Sequence, residues 1–169
     1  MTDAAYQGKE WLNELITLFE DAEKAARAVE FVESKLNNGV TNYDRAGGAR
    51  ADTSDRQRNR EELLITYSEK CEEYERKQAK YNRQRLITKH VINRLEDPIK
   101  AEILQLRYIE RIPWQEIVKA YKGMLSKATI MRYHAAALEE LAGLIKTEEP
   151  RAIEAAERQI KAQAKQATA

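Results

Sequence analysis

The side chains with the clearest chemical potential lie in one short polar segment, residues 126–132. Lys127 and Arg132 carry positive charges there, and Ser126 and Thr129 carry hydroxyl groups. Cationic and hydroxyl side chains at this spacing suit contacts with phosphate oxygens and with the edges of DNA bases. The chemistry that this segment predicts is therefore the binding of nucleic acid.

A second cluster of cations lies upstream, where seven basic residues and no acidic residue occur from Arg76 to Arg94. The total charge of +1 hides this asymmetry, because residues 1–75 carry a net charge of −7 and residues 76–169 a net charge of +8. Such a run either follows a phosphate backbone or pairs with the acidic first helix, and the two interpretations are equally favoured. The phosphate-contact candidates in the run are Lys80, Arg83 and Arg94.

Enzyme signatures are missing from the sequence, which has no P-loop, no G-x-G-x-x-G, no G-x-S-x-G and no H-E-x-x-H motif. Two histidines and one cysteine are too few for an ordinary zinc site. We therefore expect a binding protein that is not an enzyme and has no catalytic residue, no metal and no cofactor.

Composition restricts the fold that presents these side chains. Glycine and proline together number nine in 169 residues, and charged residues make up 34%. Turn-forming residues are too scarce for a β-sandwich or a doubly wound sheet, and no stretch approaches the roughly 18 apolar residues of a membrane span. We expect an all-α protein without a membrane association. The lone Cys71 and the absence of a signal-peptide pattern predict a cytoplasmic location.

Heptad spacing predicts a first long helix over residues 6–36, in an N-terminal segment 1–36. Its apolar positions alternate in intervals of four and three, as in the seam of a coiled coil. They are Trp11, Leu15, Leu18, Ala22, Ala25, Val29, Val32 and Leu36. Asn-Gly and Gly-Gly pairs then predict a flexible linker over residues 37–53.

A second long helix is predicted over residues 54–95, in a segment 54–97 with a basic end. The heptad spacing runs from Leu64 to Leu95 and includes Cys71 as a buried small apolar residue and three tyrosines as seam residues, at positions 67, 74 and 81. The apolar character fails near Arg85, where a neighbouring stripe begins, so we expect the buried face to shift by a stutter. The two long helices are expected to form a coiled-coil hairpin that self-associates.

The segment 98–146 reads as three shorter helices. Pro98 and Pro113 are suited to helix starts, and Ser126 is suited to the N-cap of the third helix. A glycine-containing turn before the third helix is typical of a helix-turn-helix. The remaining segment 147–169 is expected to be a frayed helix after Pro150 or a disordered tail.

The same segment resembles region 4 of bacterial sigma factors. The resemblance lies in Leu-Arg-Tyr-Ile at 106–109, Pro-Trp-Gln-Glu-Ile at 113–117, and the stretch from Ser126 to Leu141 with its Ala-Leu-x-x-Leu end. A heptad hairpin followed by this module is similar to phage and prophage regulators of the ArpU/RinA type. The resemblance implies a phage-encoded regulator of late gene transcription in a bacterial host cell, with double-stranded DNA and RNA polymerase as partners.

In sigma region 4 the start of the third helix enters the major groove. Carried over by position, the base-contact candidates are Lys127, Ala128, Met131 and Arg132. The phosphate-contact candidates in the module are Arg111, Lys119, Lys122, Ser126 and Thr129. The sequence departs from the family pattern at Ala128 and Met131, where charged residues are usual, and at Glu139 and Glu140, which replace basic ones. The turn also departs, because it reads Gly-Met-Leu before Ser126 where Gly-Val is usual.

Two other readings stay open. A small terminase subunit also combines a helix-turn-helix with an oligomerising hairpin, although its DNA-binding module usually comes first in the chain. A coiled-coil adaptor would use the last three helices only for docking. We expect His134 to be a packed or half-exposed core histidine and Trp114 to anchor the second short helix.

Overall fold

A computed structural model describes residues 2–41 and 53–167. The described residues contain helices and no strand, which confirms the all-α prediction. The helices are α1 (Asp3–Thr41), α2 (Thr53–Ile92), α3 (Pro98–Leu104), α4 (Trp114–Ala120) and α5 (Lys127–Ala167), with one π-helical turn at Gln105–Ile109. Among these helices none is long and apolar enough to cross a membrane.

The helix boundaries differ from the predicted ones at several points, and α2 is shorter than the predicted helix at its C-terminal end. α1 begins before residue 6 and continues past residue 36 as far as Thr41, and α2 ends at Ile92. The centre of the predicted linker, residues 42–52, lies outside the described residues. The structure divides into two compact units, here called the coil unit (residues 18–80) and the head unit (residues 2–17 and 81–167).

The coil unit combines the later part of α1 with the earlier part of α2. Ala22, Ala25 and Val32 are buried in it, as the heptad spacing predicts. On α2 the seam is displaced by one residue at its start, because Leu64 is 49% exposed and Leu63 is half-buried in its place. A straight helix drifts relative to a strict heptad, and this drift accounts for the displacement.

Tyr67 and Cys71 pack side by side on the same face of the coil unit. Cys71 is half-buried, so the prediction of a buried small residue is met only in part, because this part of the seam stays open to solvent. The hydrogen bond between the two side chains and the nearby carboxylate of Glu33 raise the pKa of Tyr67. Glu33 belongs to α1, so its charge acts on a side chain of α2 within the same unit.

The stutter in α2 is confirmed within the head unit. Ile87 and Val91 are fully buried beside Thr88 and Ile92, while Arg85 is exposed. The apolar face therefore widens where the strict heptad fails.

Helices α3 and α4 and the start of α5 pack around one apolar cluster. α3 begins at Pro98, with the Oδ1 atom of Asp97 accepting a hydrogen bond from the backbone N–H of Ile99 at 2.9 Å. The buried members of the cluster come from α3, α4 and α5 and are Ile103, Ile117, Tyr121 and Ile130. The chain between α4 and α5 turns at Gly123, whose φ of +89° is open to glycine and strained for other residues.

α5 is a single helix from Lys127 to Ala167, so the predicted boundary at 146 lies inside it and Pro150 is in its interior. An interior proline removes a backbone hydrogen bond and costs roughly 3 kcal/mol. Ala152 and Ala156 are buried beyond it. Packing of this later half offsets the local cost, which explains why the helix does not end at Pro150.

The first residues of α1 pack directly on α5. Gly8 is buried, and a β-carbon built on it would collide with the carbonyl oxygen of Leu138. Thr2 donates its hydroxyl to Glu139 at 2.6 Å, and the indole Nε1–H of Trp11 donates to Glu149 at 3.0 Å. A glycine at the crossing point lets the two helices approach at backbone distance.

Candidate nucleic-acid interface

The first two turns of α5 have one exposed face and one buried face. All four base-contact candidates, Lys127, Ala128, Met131 and Arg132, are exposed. On the other side of these turns Ile130 is fully buried, and beyond them Ala137, Leu138 and Leu141 continue the core. Residues spaced by three and four share a helix face, so the structure brings the four candidates together on one surface.

The start of α5 is fixed by hydroxyl groups. The backbone N–H of Thr129 donates to Ser126 Oγ at 3.1 Å, which confirms Ser126 as the N-cap. The two hydroxyl oxygens lie 2.8 Å apart, and an Nη2–H group of Arg132 donates to Thr129 Oγ1 at 3.3 Å. These contacts hold the Arg132 side chain over the exposed first turn.

In the unusual Gly-Met-Leu turn, the two residues after the glycine differ in burial. Leu125 is half-buried and packs on the apolar cluster, while Met124 is 77% exposed. Leu125 thus takes the inward position of this turn, and Met124 takes the outward one.

The remaining phosphate candidates of the head are all exposed. Lys119 lies 3.7 Å from Glu116 in a solvent-exposed pair, and such pairs contribute little to stability. Arg111 has a φ of +58° and follows the π-helical turn, in which the backbone N–H of Glu110 donates to the carbonyl of Gln105 at 2.9 Å. Lys122 lies in the turn after α4.

The basic run of α2 divides between paired and outward-facing cations. Arg83 Nη2 lies 3.0 Å from a carboxylate oxygen of Glu157, and Arg94 Nε lies 3.6 Å from Glu148. Both carboxylates belong to α5, so the acidic α1 is not their partner. The candidate Lys80 is exposed and belongs to the coil unit.

Sequence reasoning missed Arg85 and Lys89, which are exposed on α2 within the head unit. Their spacing of four places them on one face, away from the buried stripe of Ile87 and Val91. The stutter was the available signal, because a shift of the buried face determines which cations of the run point outward.

The two glutamates that depart from the sigma pattern serve contacts inside the head. Glu140 accepts hydrogen bonds from Lys100 Nζ at 2.9 Å and from the backbone N–H of Glu96 at 3.1 Å. The Lys100 ammonium lowers the pKa of the Glu140 carboxyl. Glu139 accepts from Thr2. The acids at this part of α5 therefore dock it to α3 and to α1.

An aromatic cluster supports the buried side of the first turns. The His134 ring lies edge-on to Trp114 at 4.8 Å between centroids, and its Nε2 atom is 3.3 Å from the Tyr108 hydroxyl. Burial, with the charges of Arg107 and Lys9, lowers the pKa of His134 to about 4. The ring is therefore neutral at pH 7, as expected of a packed histidine. The Arg107 guanidinium lies 5.5 Å from the Trp114 centroid.

Comparison with known proteins places the chain in a family. A family model described as "Protein of unknown function (DUF1492)" matches residues 47–142, more than half of the chain. The chain belongs to the DUF1492 family. No curated protein and no solved structure matches it.

The DUF1492 match includes α2, α3, α4 and α5 as far as residue 142. All twelve predicted contact residues, from Lys80 to Arg132, lie inside it. Glu148 and Glu157, which pair with Arg94 and Arg83, lie outside it. The DUF1492 segment thus contains the candidate interface, and the later half of α5 supplies the acids that neutralise part of it.

Proposed function

We propose that this chain is a sequence-specific DNA-binding transcriptional regulator whose helix α5 enters the major groove. The observation that carries the proposal is the division of α5 into an exposed polar face and a buried face that closes a three-helix core. Lys127, Ala128, Met131 and Arg132 are all exposed on it. A groove-reading helix needs this arrangement, because its outward side chains contact bases while the rest of the module holds it rigid.

The charge of the same region supports a polyanionic partner. Between Glu116 and Glu139 the sequence contains four basic residues and no acidic residue. Glu139, the first acid after the exposed face, is engaged by Thr2. The groove-facing surface is therefore positive, which favours association with phosphate groups.

We further propose that the regulator is phage-encoded, acts on late genes in the manner of the ArpU/RinA type and works with RNA polymerase. The resemblance of residues 106–141 to sigma region 4 supports this assignment. A reporter placed behind the upstream region of neighbouring genes is expected to change its transcription when the protein is expressed. An unchanged reporter, with DNA binding intact, would remove the regulatory part of the proposal.

Binding itself is tested by an electrophoretic mobility assay with the chain's own genomic upstream region. We expect a shifted complex whose association constant falls with salt, because each neutralised phosphate contributes a slope of about −0.9 in a log–log plot. Replacement of both Lys127 and Arg132 by alanine should abolish the specific complex and reduce the salt slope by up to about 2.

A matched control removes the same charge elsewhere. Lys24→Ala combined with Arg27→Ala alters two exposed cations of the coil unit and leaves the head intact. The control should bind as the native protein does. Absence of salt-sensitive binding by the native protein, or equal loss in both double variants, would contradict the proposal.

Self-association through the coil unit is a separate proposal. Phe31, Leu64 and Ile65 are exposed in this unit at 60%, 49% and 61%. A pair of such chains would present two heads to adjacent half-sites. Sedimentation measurements should give a mass of twice the 19.5 kDa chain, and a strict monomer would rule out the paired arrangement.

A further inference from the structure

The exposed face of α5 carries one long apolar side chain among its cations. Met131 is 40% exposed, one residue before Arg132. Ala128 and Ala135 are exposed on the same face and have only a methyl group as side chain. Of the exposed residues from Lys127 to Ala135, Met131 therefore has the longest apolar side chain.

The methionines of the head contrast with its other large aliphatic residues. Met124 and Met131 are exposed, whereas Ile103, Ile117 and Ile130 are fully buried; Ile160, at 38%, is exposed only in the last turns of α5, away from this face. Methionine is flexible and polarisable, and it adapts to irregular apolar surfaces. Met131 is placed to contact an apolar feature of whatever partner covers this positive face.

Double-stranded DNA that contains thymine fits both properties of this face, because it is a polyanion and carries an apolar group in its wide major groove. The thymine C5-methyl group projects into the major groove, and each base pair there presents a distinct pattern. Duplex RNA lacks this methyl group, and its major groove is too narrow to be read by a helix.

Resting on the proposed DNA-binding function, we infer that Met131 is a specificity-determining residue that contacts the C5-methyl group of a thymine, beside a guanine contacted by Arg132. Thr129 supports this pairing because its hydroxyl accepts a hydrogen bond from Arg132 at 3.3 Å, which limits the guanidinium to the same turn. Arginine is the usual partner of guanine O6 and N7.

The test replaces thymine by deoxyuridine, which differs only by the absent methyl group. A preferred duplex is first selected with the full chain from a random library, and each thymine is then replaced in turn. At one or two positions we expect the dissociation constant to rise about fourfold, the factor that corresponds to roughly 0.8 kcal/mol for one buried carbon group.

Protein variants identify the side chain responsible. Met131→Ala should bind the thymine and deoxyuridine duplexes equally at those positions. Met124→Ala, which removes the exposed methionine of the turn, should keep the fourfold difference. Circular dichroism checks that both variants remain helical.

The outcomes separate the inference from the function on which it rests. Tight, sequence-selective binding without any deoxyuridine-sensitive position would overturn the methyl contact and leave DNA binding in place. If Met131→Ala still binds the thymine duplex more tightly than the deoxyuridine duplex, another residue contacts the thymine methyl group, and the inference is likewise overturned. Failure to select or bind any duplex, or a preference for duplex RNA, would overturn both.

Discussion

The two parts of α5 differ in how their side chains are used. In the first turns Lys127, Ala128, Met131 and Arg132 are exposed to solvent. Further along, Glu140, Glu148 and Glu157 each form an ion pair with a residue of α2 or α3, or of the helix connection. One helix thus leaves its beginning open to solvent and uses its continuation to dock within the head.

The difference explains why departures from a family pattern need not weaken a functional surface. Glu139 and Glu140 look unfavourable for DNA when they are read as part of a recognition helix. In the structure they face α1 and α3, where they accept hydrogen bonds. The exposed face of the first turns ends before them, at Ala135.

Among these substitutions, Gly8→Ala is expected to weaken the packing of α1 against α5 most strongly. Alanine is intrinsically better than glycine in a helix by about 1 kcal/mol, but the added β-carbon would collide with the backbone of Leu138. Overpacking of this kind costs about 1 to 3 kcal/mol, so we expect a net loss of up to about 2 kcal/mol in the free energy of unfolding. Urea denaturation followed by circular dichroism measures it.

Gly143→Ala is the matched control, because a β-carbon there meets nothing within 4 Å. This substitution should raise the stability by up to about 1 kcal/mol. A neutral or stabilising Gly8→Ala would show that α1 and α5 do not cross at backbone distance.

His134 lies between the two parts and should give a pH dependence. Its pKa of about 4 in the folded head is below its ordinary value of 6.5, so the unfolded chain takes up a proton first as pH falls. The stabilising contribution of the neutral ring is complete above pH 6.5 and is lost as pH falls towards 4. Partial solvent access limits the loss to on the order of 1 to 2 kcal/mol.

Comparison of unfolding at pH 7 and pH 5 tests this expectation. His134→Phe keeps a ring against Trp114 but cannot be protonated, so its stability should change less over this interval. An equal change in both proteins would mean that another group is responsible.

Glu140→Gln tests the docked acids with a smaller effect. We expect a loss of about 1 kcal/mol at pH 7, because the Lys100 ammonium and one backbone N–H lose a charged acceptor. The pKa of Glu140 is lowered from 4.5 in the folded protein, so the contribution is present above pH 4.5 and is lost as pH falls through the folded value. The native protein and the variant should therefore converge in acid, and a constant difference would argue against an ionic contact.

The smallest effect on stability is expected from Arg132→Ala in the exposed part. Surface substitutions usually stay within about 0.5 kcal/mol, and this one should do so while it reduces DNA affinity. Glu140→Gln should instead lower the stability and leave the DNA affinity unchanged. A large destabilisation by Arg132→Ala would show that the first turns also have a structural role.

Much of the local architecture was predictable because it depends on neighbours in sequence. The heptad positions of α1, the stutter near Arg85 and the N-cap at Ser126 follow from helix periodicity and capping, and the structure has all three. The exposed face of α5 followed from the same periodicity, since its buried positions recur at intervals of three and four.

The remaining features depend on residues far apart in the chain. Pro150 is a local signal for a helix end, yet α5 continues because Ala152 and Ala156 are buried. The pairing of Arg83 with Glu157 joins residues 74 positions apart, and no local pattern specifies it. The role of Gly8 was equally hidden, because a glycine required for close helix contact looks like any helix-weakening glycine.

The continuity of α5 also fixes its helical phase. Each residue turns an α-helix by about 100° and advances it by 1.5 Å. Insertion of a single residue near Gly143 would leave the first turns and the docked acids each intact but rotated out of alignment. The direction in which Arg132 points is therefore set partly by Glu157, at a distance along the helix axis of roughly 37 Å.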